Sequence, residues 1–511
     1  MNIHSLPAPS SPPSISAPNP TPLYDKLTAY AKEPHIPFHM PGHKRQLRPE
    51  YLPSSLPWQI DITEIDGFDN LHHAEGILKE SMAYAARYYN VQRSLYSVNG
   101  STACLLSAVF AAAKPGETIL MGRNCHKSVY HGVFLRNLRP RYLYPQTDEK
   151  TGIDCGYLPS DLEKELTDHP EIRAVILTSP TYEGILTDIA EMEEIIRPRG
   201  IPLIVDEAHG AHLHNYNFDD HQNMDSFPPG AAAQGADLVI QSLHKTLPAL
   251  TQTAVLHIGK YASLRLAEEA ARYMEIFQTS SPSYVLLSSI DSCLHFLASP
   301  KGIREKKHYC QKLTALRSRL KKAEKVHLLE PGQSRDPSKL ILAAEGLTGR
   351  ELYDYLRIEC HVQPEACMDS YVILMTSIWD TEKMYEILCQ SIEKLDRILS
   401  NPAYMWEKFH KNTYSLSLSH SDKYEKKSKP IQIFAPFEAD LMEKEEIFIA
   451  DSAGRISGES LWLYPPGIPL LVPGEKIGED WPAFLSGLLK AGKSLHGIKD
   501  QSGKKIQVLQ V

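Results

Sequence analysis

Between about residue 90 and residue 300, short apolar runs alternate with longer stretches of helical periodicity. The runs are Leu95–Val98, Thr118–Met121, Ala174–Thr178, Pro202–Val205, Leu238–Ile240 and Ala254–Ile258. Several are continuously apolar, the pattern of strands covered by helices on both faces. This predicts an α/β domain with a mostly parallel sheet, in which ligands sit at the carboxyl ends of the strands. Farther on, Leu313–Ala323 reads as a basic helix, Leu340–Leu342 and Val372–Met375 as strands, and Thr381–Leu399 as an amphipathic helix. These form a smaller α+β unit.

Punctuation along the chain gives the boundaries. Residues 1–22 hold many prolines and serines and no apolar core segment, so they read as a flexible arm rather than a signal peptide. The polar segment Ser415–Lys429 reads as a linker. Four prolines and two glycines between Pro465 and Gly474 forbid a helix and favour a rigid extended loop. The expected division is 1–22 arm, 23–300 N-terminal segment and large domain, 301–414 small α+β domain, and 415–511 linker and C-terminal domain. A chain of 511 residues is too long for a single core, which agrees with about three domains.

Composition narrows the class. The chain is 42% hydrophobic and 23% charged, with a formal net charge of -8. That balance disfavours a nucleic-acid partner and is compatible with cationic small molecules. No run approaches roughly 18 apolar residues, so no membrane span is expected. The eight cysteines show no CxxC pair and no zinc spacing, and read as buried thiols of a reducing, cytoplasmic compartment.

The candidate chemistry centres on Gln241-Ser242-Leu243-His244-Lys245-Thr246, which follows one apolar run and precedes another. A lysine at a strand-to-loop junction among hydroxyl and imidazole groups is what a Schiff base to pyridoxal 5'-phosphate (PLP) requires. Its amine must be partly desolvated to attack an aldehyde, and nearby donors must hold a phosphate. Most lysines after strands are solvated surface groups, so the weight comes from three other segments. In Asn99-Gly100-Ser101-Thr102, Gly100 permits a tight turn and two hydroxyls stand at a helix start. Such a start can cradle a phosphate or be an ordinary Ser/Thr cap. His126, after the Thr118–Met121 run, can stack on a pyridine ring or cap the next helix. Asp206 ends Ile204-Val205-Asp206, where a carboxylate would keep a pyridine nitrogen protonated. Glu207, His209, His212 and His214 crowd around it, but match no metal-ligand spacing, so no metal is expected. The order of cradle, stacker, aspartate and lysine resembles that of fold-type I PLP enzymes.

The chain resembles the bacterial ornithine/lysine/arginine decarboxylases, in the short form without an N-terminal wing domain. The carriers are Pro37-Phe38-His39-Met40-Pro41-Gly42-His43-Lys44, Asp61–His72, Ser179-Pro180-Thr181-Tyr182-Glu183-Gly184, Ser242-Leu243-His244-Lys245, Thr279–Tyr284 and Pro465-Pro466-Gly467-Ile468-Pro469. The resemblance implies a fold-type I PLP-dependent transferase-like large domain, a small α+β domain and a C-terminal domain. It implies that Lys245 holds the cofactor, that His126 stacks on its ring, and that Asp206 pairs with its nitrogen. Ser101, Thr102, Ser242 and His244 would bind phosphate, and Thr279 or Ser280 would reach the phosphate of a neighbouring subunit. His209 would lie beside the cofactor near the substrate carboxylate. Lys245 or His244 would return a proton after CO2 leaves. A homodimer or homotetramer follows, since the missing wing is what builds larger assemblies.

The resemblance favours L-arginine as substrate, giving agmatine for polyamine biosynthesis, with lysine and ornithine open. Acidic residues in Asp61–Asp69, Glu183 and Glu459 are the candidate acceptors for a basic side chain. An aminotransferase would use the same cofactor, with an arginine such as Arg350, Arg357 or Arg397 for the α-carboxylate. A non-catalytic PLP-binding protein is a further alternative.

Overall fold

The structure is a computed structural model and describes residues 22–33, 40–41, 43–45, 55–214, 227–401, 428–463, 467–490, 495–500 and 502–511. Nearly all of the expected arm, half of Pro37–Lys44, almost all of the Ser415–Lys429 linker, and Pro465 and Pro466 lie outside the described residues.

Helices α1 (Pro22–Lys32) and α2 (Ile77–Tyr89) precede β1 (Arg93–Ser97). There follow α3 (Gly100–Ala112), β2 (Thr118–Gly122), α4 (Lys127–Leu135), β3 (Arg139–Leu143), α5 (Pro159–Asp168) and β4 (Ile172–Thr178). Then come α6 (Ile189–Ile196), β5 (Leu203–Asp206), β6 (Leu238–Gln241), α7 (Leu243–Thr246) and β7 (Ala254–Ile258). The seven strands form one sheet in the order β1-β7-β6-β5-β4-β2-β3. Only β7 runs against its neighbours; β2 to β6 pair in parallel. Each of the six expected strands has a counterpart within a residue or two. Every residue of β5, β6 and β7 is buried, because helices cover both faces.

Strand β3 escaped the sequence reading. Arg139-Pro140-Arg141-Tyr142-Leu143 lacks an apolar run because it is an edge strand, where a proline and charges are tolerated. Helix α3 is apolar nearly all round, and its buried face is thick with Cys104, Leu105, Ala108 and Val109. It packs between the sheet and α8 (Leu264–Phe277), with which it shares a core.

After α9 (Tyr284–Ala298) comes α10 (Pro300–Leu320), longer than the basic helix expected at Leu313–Ala323. Ser299 caps it through Gly302 N–H and proline occupies its first turn, a start signal thirteen residues upstream of the expected start (313 minus 300). A second sheet holds β8 (Val326–Leu329), β9 (Lys339–Ala344), β10 (Ala366–Cys367) and β11 (Val372–Met375), in the order β10-β11-β9-β8. Helix α11 (Gly349–Asp354) lies between β9 and β10, and α12 (Glu382–Leu399) closes the unit, capped by Thr381. A continuous core runs from Leu23 and Leu27 through Leu287 and Leu313 to Leu342 and Leu395. The α1 and α2 helices, the long α9 and α10 helices and the second sheet are thereby packed together.

The C-terminal portion contains β12 (Ile431–Gln432), β13 (Lys444–Phe448), β14 (Leu461–Trp462), β15 (Pro469–Leu471), β16 (Glu475–Lys476), α13 (Trp481–Lys490) and β17 (Lys505–Leu509). Part of the proline-rich run is thus a short strand, β15, paired with β14, and not only a loop. This portion is tied to the large sheet by a buried ion pair, Arg123 to Glu475 at 3.2 Å. The same guanidinium donates to the carbonyls of Pro469 at 2.7 Å and Leu470 at 2.9 Å. All eight cysteines are free, five of them buried and Cys155, Cys360 and Cys367 half-buried. Among the described residues no helix is long and apolar enough to cross a membrane.

Candidate functional site

The carboxyl ends of β5 and β6 meet at one point above the sheet. Strand β5 delivers Asp206, which is 4% exposed. Its Oδ1 accepts the Ala208 amide at 3.2 Å. Strand β6 delivers Ser242 and the single turn α7 that carries His244 and Lys245. Lys245 Nζ lies 3.1 Å from Nε2 of His209, which stands on the turn after β5. Burial pulls the Lys245 amine below the usual lysine range, and the negative charges of Asp206 and Glu365 partly oppose that shift. The same burial pushes the Asp206 carboxyl up, with Lys245 holding it back.

The start of α3 faces α7. Gly100 has φ +72°, the left-handed region that a glycine allows, and its amide donates to Gln252 O at 2.9 Å. Ser101 Oγ accepts from Ser242 Oγ at 2.9 Å. Thr102 Oγ1 and Ser128 Oγ are 3.2 Å apart. Hydroxyls from three elements therefore converge at a helix N-terminus, where free amides and the helix dipole favour an anion. His244 has its ring Nδ1 2.9 Å from the Thr253 carbonyl, and burial lowers its pKa.

Of the two alternatives weighed from sequence for His126, the helix cap is the one observed. It is the N-cap of α4, with Nδ1 accepting Ser128 N–H at 3.2 Å and lying 2.8 Å from Ser128 Oγ. Burial and then the Lys245 charge lower its pKa to about 4, so a neutral flat ring faces the lysine side of the site. His209 is held edge-on by Tyr182, ring centroids 5.0 Å apart. Its buried Nδ1 has no hydrogen-bond partner among the described residues, and burial drives its pKa well down. Thr279 and Ser280 are exposed; the Thr279 amide donates to Asn99 Oδ1 at 3.4 Å, next to the α3 start, and its carbonyl oxygen lies 2.8 Å from His72 Nε2.

Several acidic candidates have other duties. Glu459 accepts the amides of Lys499 at 3.0 Å and Gln507 at 2.9 Å, so it braces the C-terminal portion. Asp69 accepts the amides of Glu75, Gly76 and Leu78, and Asp61 contacts His43 at 3.1 Å. The Glu183 carboxyl is raised by burial and accepts Tyr371 O–H at 3.0 Å. Near it, Asp154 is pushed up to about 6 by burial and by the Glu183 charge.

Three residues passed over in the sequence join the site from its far wall. Glu365, before β10, accepts Tyr182 O–H at 2.9 Å, and its charge acts on Lys245. Lys339 opens β9, and its charge acts on His209. Asp336 pairs with His212 at 3.0 Å. The available signal was a lysine beginning an apolar strand, Lys339-Leu340-Ile341-Leu342, directly after Asp336-Pro337-Ser338. Among the described residues, no group of three or more His, Cys, Asp or Glu side chains could hold a metal ion.

Comparison with known proteins places the chain in a family. Residues 21–339 match the Orn/Lys/Arg decarboxylase major domain, and residues 419–504 match the C-terminal domain of the same family. An arginine decarboxylase of Bacillus anthracis is 28% identical over 505 residues, covering 96% of this chain and 97% of the relative. The lysine decarboxylase of Francisella novicida superposes with a TM-score of 0.80 at 19% identity, covering 96% of this chain and 81% of that one. The constitutive lysine decarboxylase of E. coli gives 0.76 at 20% identity, covering 96% and 82%. These two likenesses establish the fold, that of fold-type I PLP enzymes. The chain belongs to the Orn/Lys/Arg decarboxylase family, and it is an amino acid decarboxylase of that family.

Proposed function

We propose that this family member uses PLP, held by Lys245, to remove the α-carboxylate of L-arginine, giving agmatine and CO2. The observation that carries the reading is the 3.1 Å contact between Lys245 and His209 beside the buried Asp206. When bound, PLP supplies an electron sink for the pair left on the α-carbon as CO2 departs.

The residues fit that group. A buried carboxylate is costly unless a cation meets it, and among the described residues Asp206 has only Lys245 and one amide to offset its burial. A protonated pyridine nitrogen is a suitable partner, and Asp206 would keep the proton there. The hydroxyls of Ser101, Thr102 and Ser242 at the α3 start would hold the phosphate, with His244 beside them. His126 would cover one face of the ring. The depressed pKa of Lys245 makes its free amine available for covalent attachment. Afterwards Lys245 or His244 would carry a proton to the α-carbon, which the 3.1 Å partner His209 would help to orient.

Substrate choice rests on the far wall. Glu365 supplies a carboxylate there, held by Tyr182, and Glu183, held by Tyr371, adjoins Gly184 beside Lys339. A guanidinium matches paired carboxylates better than a compact ammonium does. The name of the Bacillus anthracis relative supports arginine; lysine and ornithine are the alternatives. The aminotransferase reading loses support, since Arg350 and Arg357 are engaged by Asp354 at 2.7 and 3.8 Å and Arg397 is exposed. Assembly as a homodimer or homotetramer, with the exposed Thr279 and Ser280 reaching a neighbouring site, belongs to the same proposal, as does a cytoplasmic location. Carboxyl-labelled arginine tests the reaction: labelled CO2 in step with amine supports decarboxylation, and a keto acid with no CO2 overturns it.

A further inference from the structure

Lys339 is the first residue of β9 and lies opposite Met375 on β11, so it enters the site from the second sheet. The residue is 3% exposed, and its buried Nζ has no hydrogen-bond partner among the described residues. Its stem crosses Gly184 so closely that a Cβ there would fall 2.5 Å from Lys339 Cγ and 3.0 Å from its Cβ. Gly184 also has φ +89°, so the Ser179–Gly184 segment is shaped twice over to let this side chain through.

The backbone around Lys339 is firmly tied. Its amide donates to Asp336 O at 3.2 Å, and its carbonyl accepts Arg317 Nη1 at 3.3 Å. Asp336 Oδ1 is committed to His212 at 3.0 Å and to the Ser338 amide at 2.9 Å, and its Oδ2, although buried, makes no hydrogen bond to Lys339 among the described residues. Its charge supports Lys339 without supplying a hydrogen bond. Burial and the neighbouring Lys245 bring the amine down to about 8, with Asp336 and Glu365 opposing. The field of Lys339 reaches His209 and Lys245, the two groups in contact at the centre of the site. A buried ammonium with no acceptor is costly, which marks a place made for an anion.

Two anionic groups would enter this site. The phosphate has its own cradle at the α3 start, on hydroxyls of the large domain. The distal cation of a basic amino acid would be repelled by Lys339. We infer that Lys339 is a substrate-positioning residue whose ammonium grips the α-carboxylate of the incoming amino acid. This rests on the reading of Lys245 as the cofactor-bearing amine. A fixed carboxylate sets which bond at the α-carbon stands perpendicular to the ring. The contact is lost once CO2 has formed, so the amine product is held by one anchor fewer than the substrate.

The test compares acids with their own amines. PLP-loaded wild type, Lys339→Met and Lys339→Arg are titrated in a rapid-mixing instrument by cofactor absorbance. The pairs are arginine and agmatine, lysine and cadaverine, and ornithine and putrescine. Lys339→Met should weaken the preferred acid by roughly ten- to a hundred-fold, the scale of a charge-assisted hydrogen bond, and its amine by no more than about twofold. Lys339→Arg should recover most of the loss, and its normal circular dichroism and bound cofactor would exclude misfolding. Equal weakening of acid and amine, or no change in either, would overturn the inference. Wild type that binds the pairs yet releases no CO2 would overturn the decarboxylation reading alone, because the acid-to-amine ratio still reports on Lys339. No affinity for any acid would overturn both.

Discussion

Lys245 Nζ and His209 Nε2, 36 residues apart in sequence, sit 3.1 Å apart because β5 and β6 are adjacent parallel strands that end at the same level. Both turns inherit that registry, and the register pairs Asp206 with Ile240, two residues before Ser242. The site is therefore fixed by sheet geometry rather than by a mobile loop.

Replacing Lys245 by alanine removes the amine to which PLP would attach. Turnover should fall by roughly a thousand-fold or more, as for loss of a covalent catalytic group. Borohydride reduction followed by peptide mapping should locate the cofactor on Lys245 in wild type. A reduced adduct on a different lysine contradicts the assignment.

Asp206→Asn keeps the shape and can still accept the Ala208 amide, but loses the charge. Removing one member of a buried charged pair costs on the order of 2–5 kcal/mol. We expect kcat to drop roughly a hundred-fold at saturating PLP, with secondary structure unchanged. A kcat within a few-fold of wild type would exclude the proposed pairing with the ring nitrogen.

His126 has two separable duties, a helix cap and a ring surface. His126→Ala should loosen PLP binding by about tenfold, the scale of an aromatic stacking contact. Phe at this position should restore cofactor affinity while leaving the helix about 1 kcal/mol short of its cap. If Phe and Ala behave alike in a PLP titration, stacking is not what His126 provides.

Glu207 supplies a pH test of the protein framework. Burial raises its carboxyl to about 7, although Gln241 donates to it at 2.7 Å and the Ala231 amide at 2.6 Å. Because the folded pKa lies above the ordinary 4.5, the folded state binds more protons than the unfolded state between those values. Stability contributed by this group therefore falls as pH rises through that window. The isosteric Glu207→Gln change should be close to neutral at pH near 4.5 and stabilising by roughly 3 kcal/mol above pH 7. Urea denaturation of the two proteins at several pH values would show this; a pH-independent difference would refute it.

The large sheet was legible because β5, β6 and β7 are covered on both faces and so read as unbroken apolar runs. β3 was not, since an edge strand needs no such run and carries Arg139, Pro140 and Arg141 instead. Asp206 and Lys245 could be found from their places after strands. Lys339 and Glu365 could not, because they come from the second sheet and a sequence does not say which side chains of two domains face one another. Glu459 was selected as an acidic candidate for lack of that same information, and its carboxylate is spent on two backbone amides. Gly184 stood within a recognisable motif, but its role became visible only with the Lys339 stem packed against it.

The most direct measurement is the product spectrum of the PLP-loaded protein given arginine, lysine and ornithine in separate reactions, with CO2 and amine quantified in each. Agmatine and CO2 in equal amounts, at a kcat/KM at least tenfold above that for the other two, is the expected result. CO2 from lysine or ornithine in preference would refute the arginine assignment and leave the site intact. No CO2 from any of the three would contradict the account at its centre.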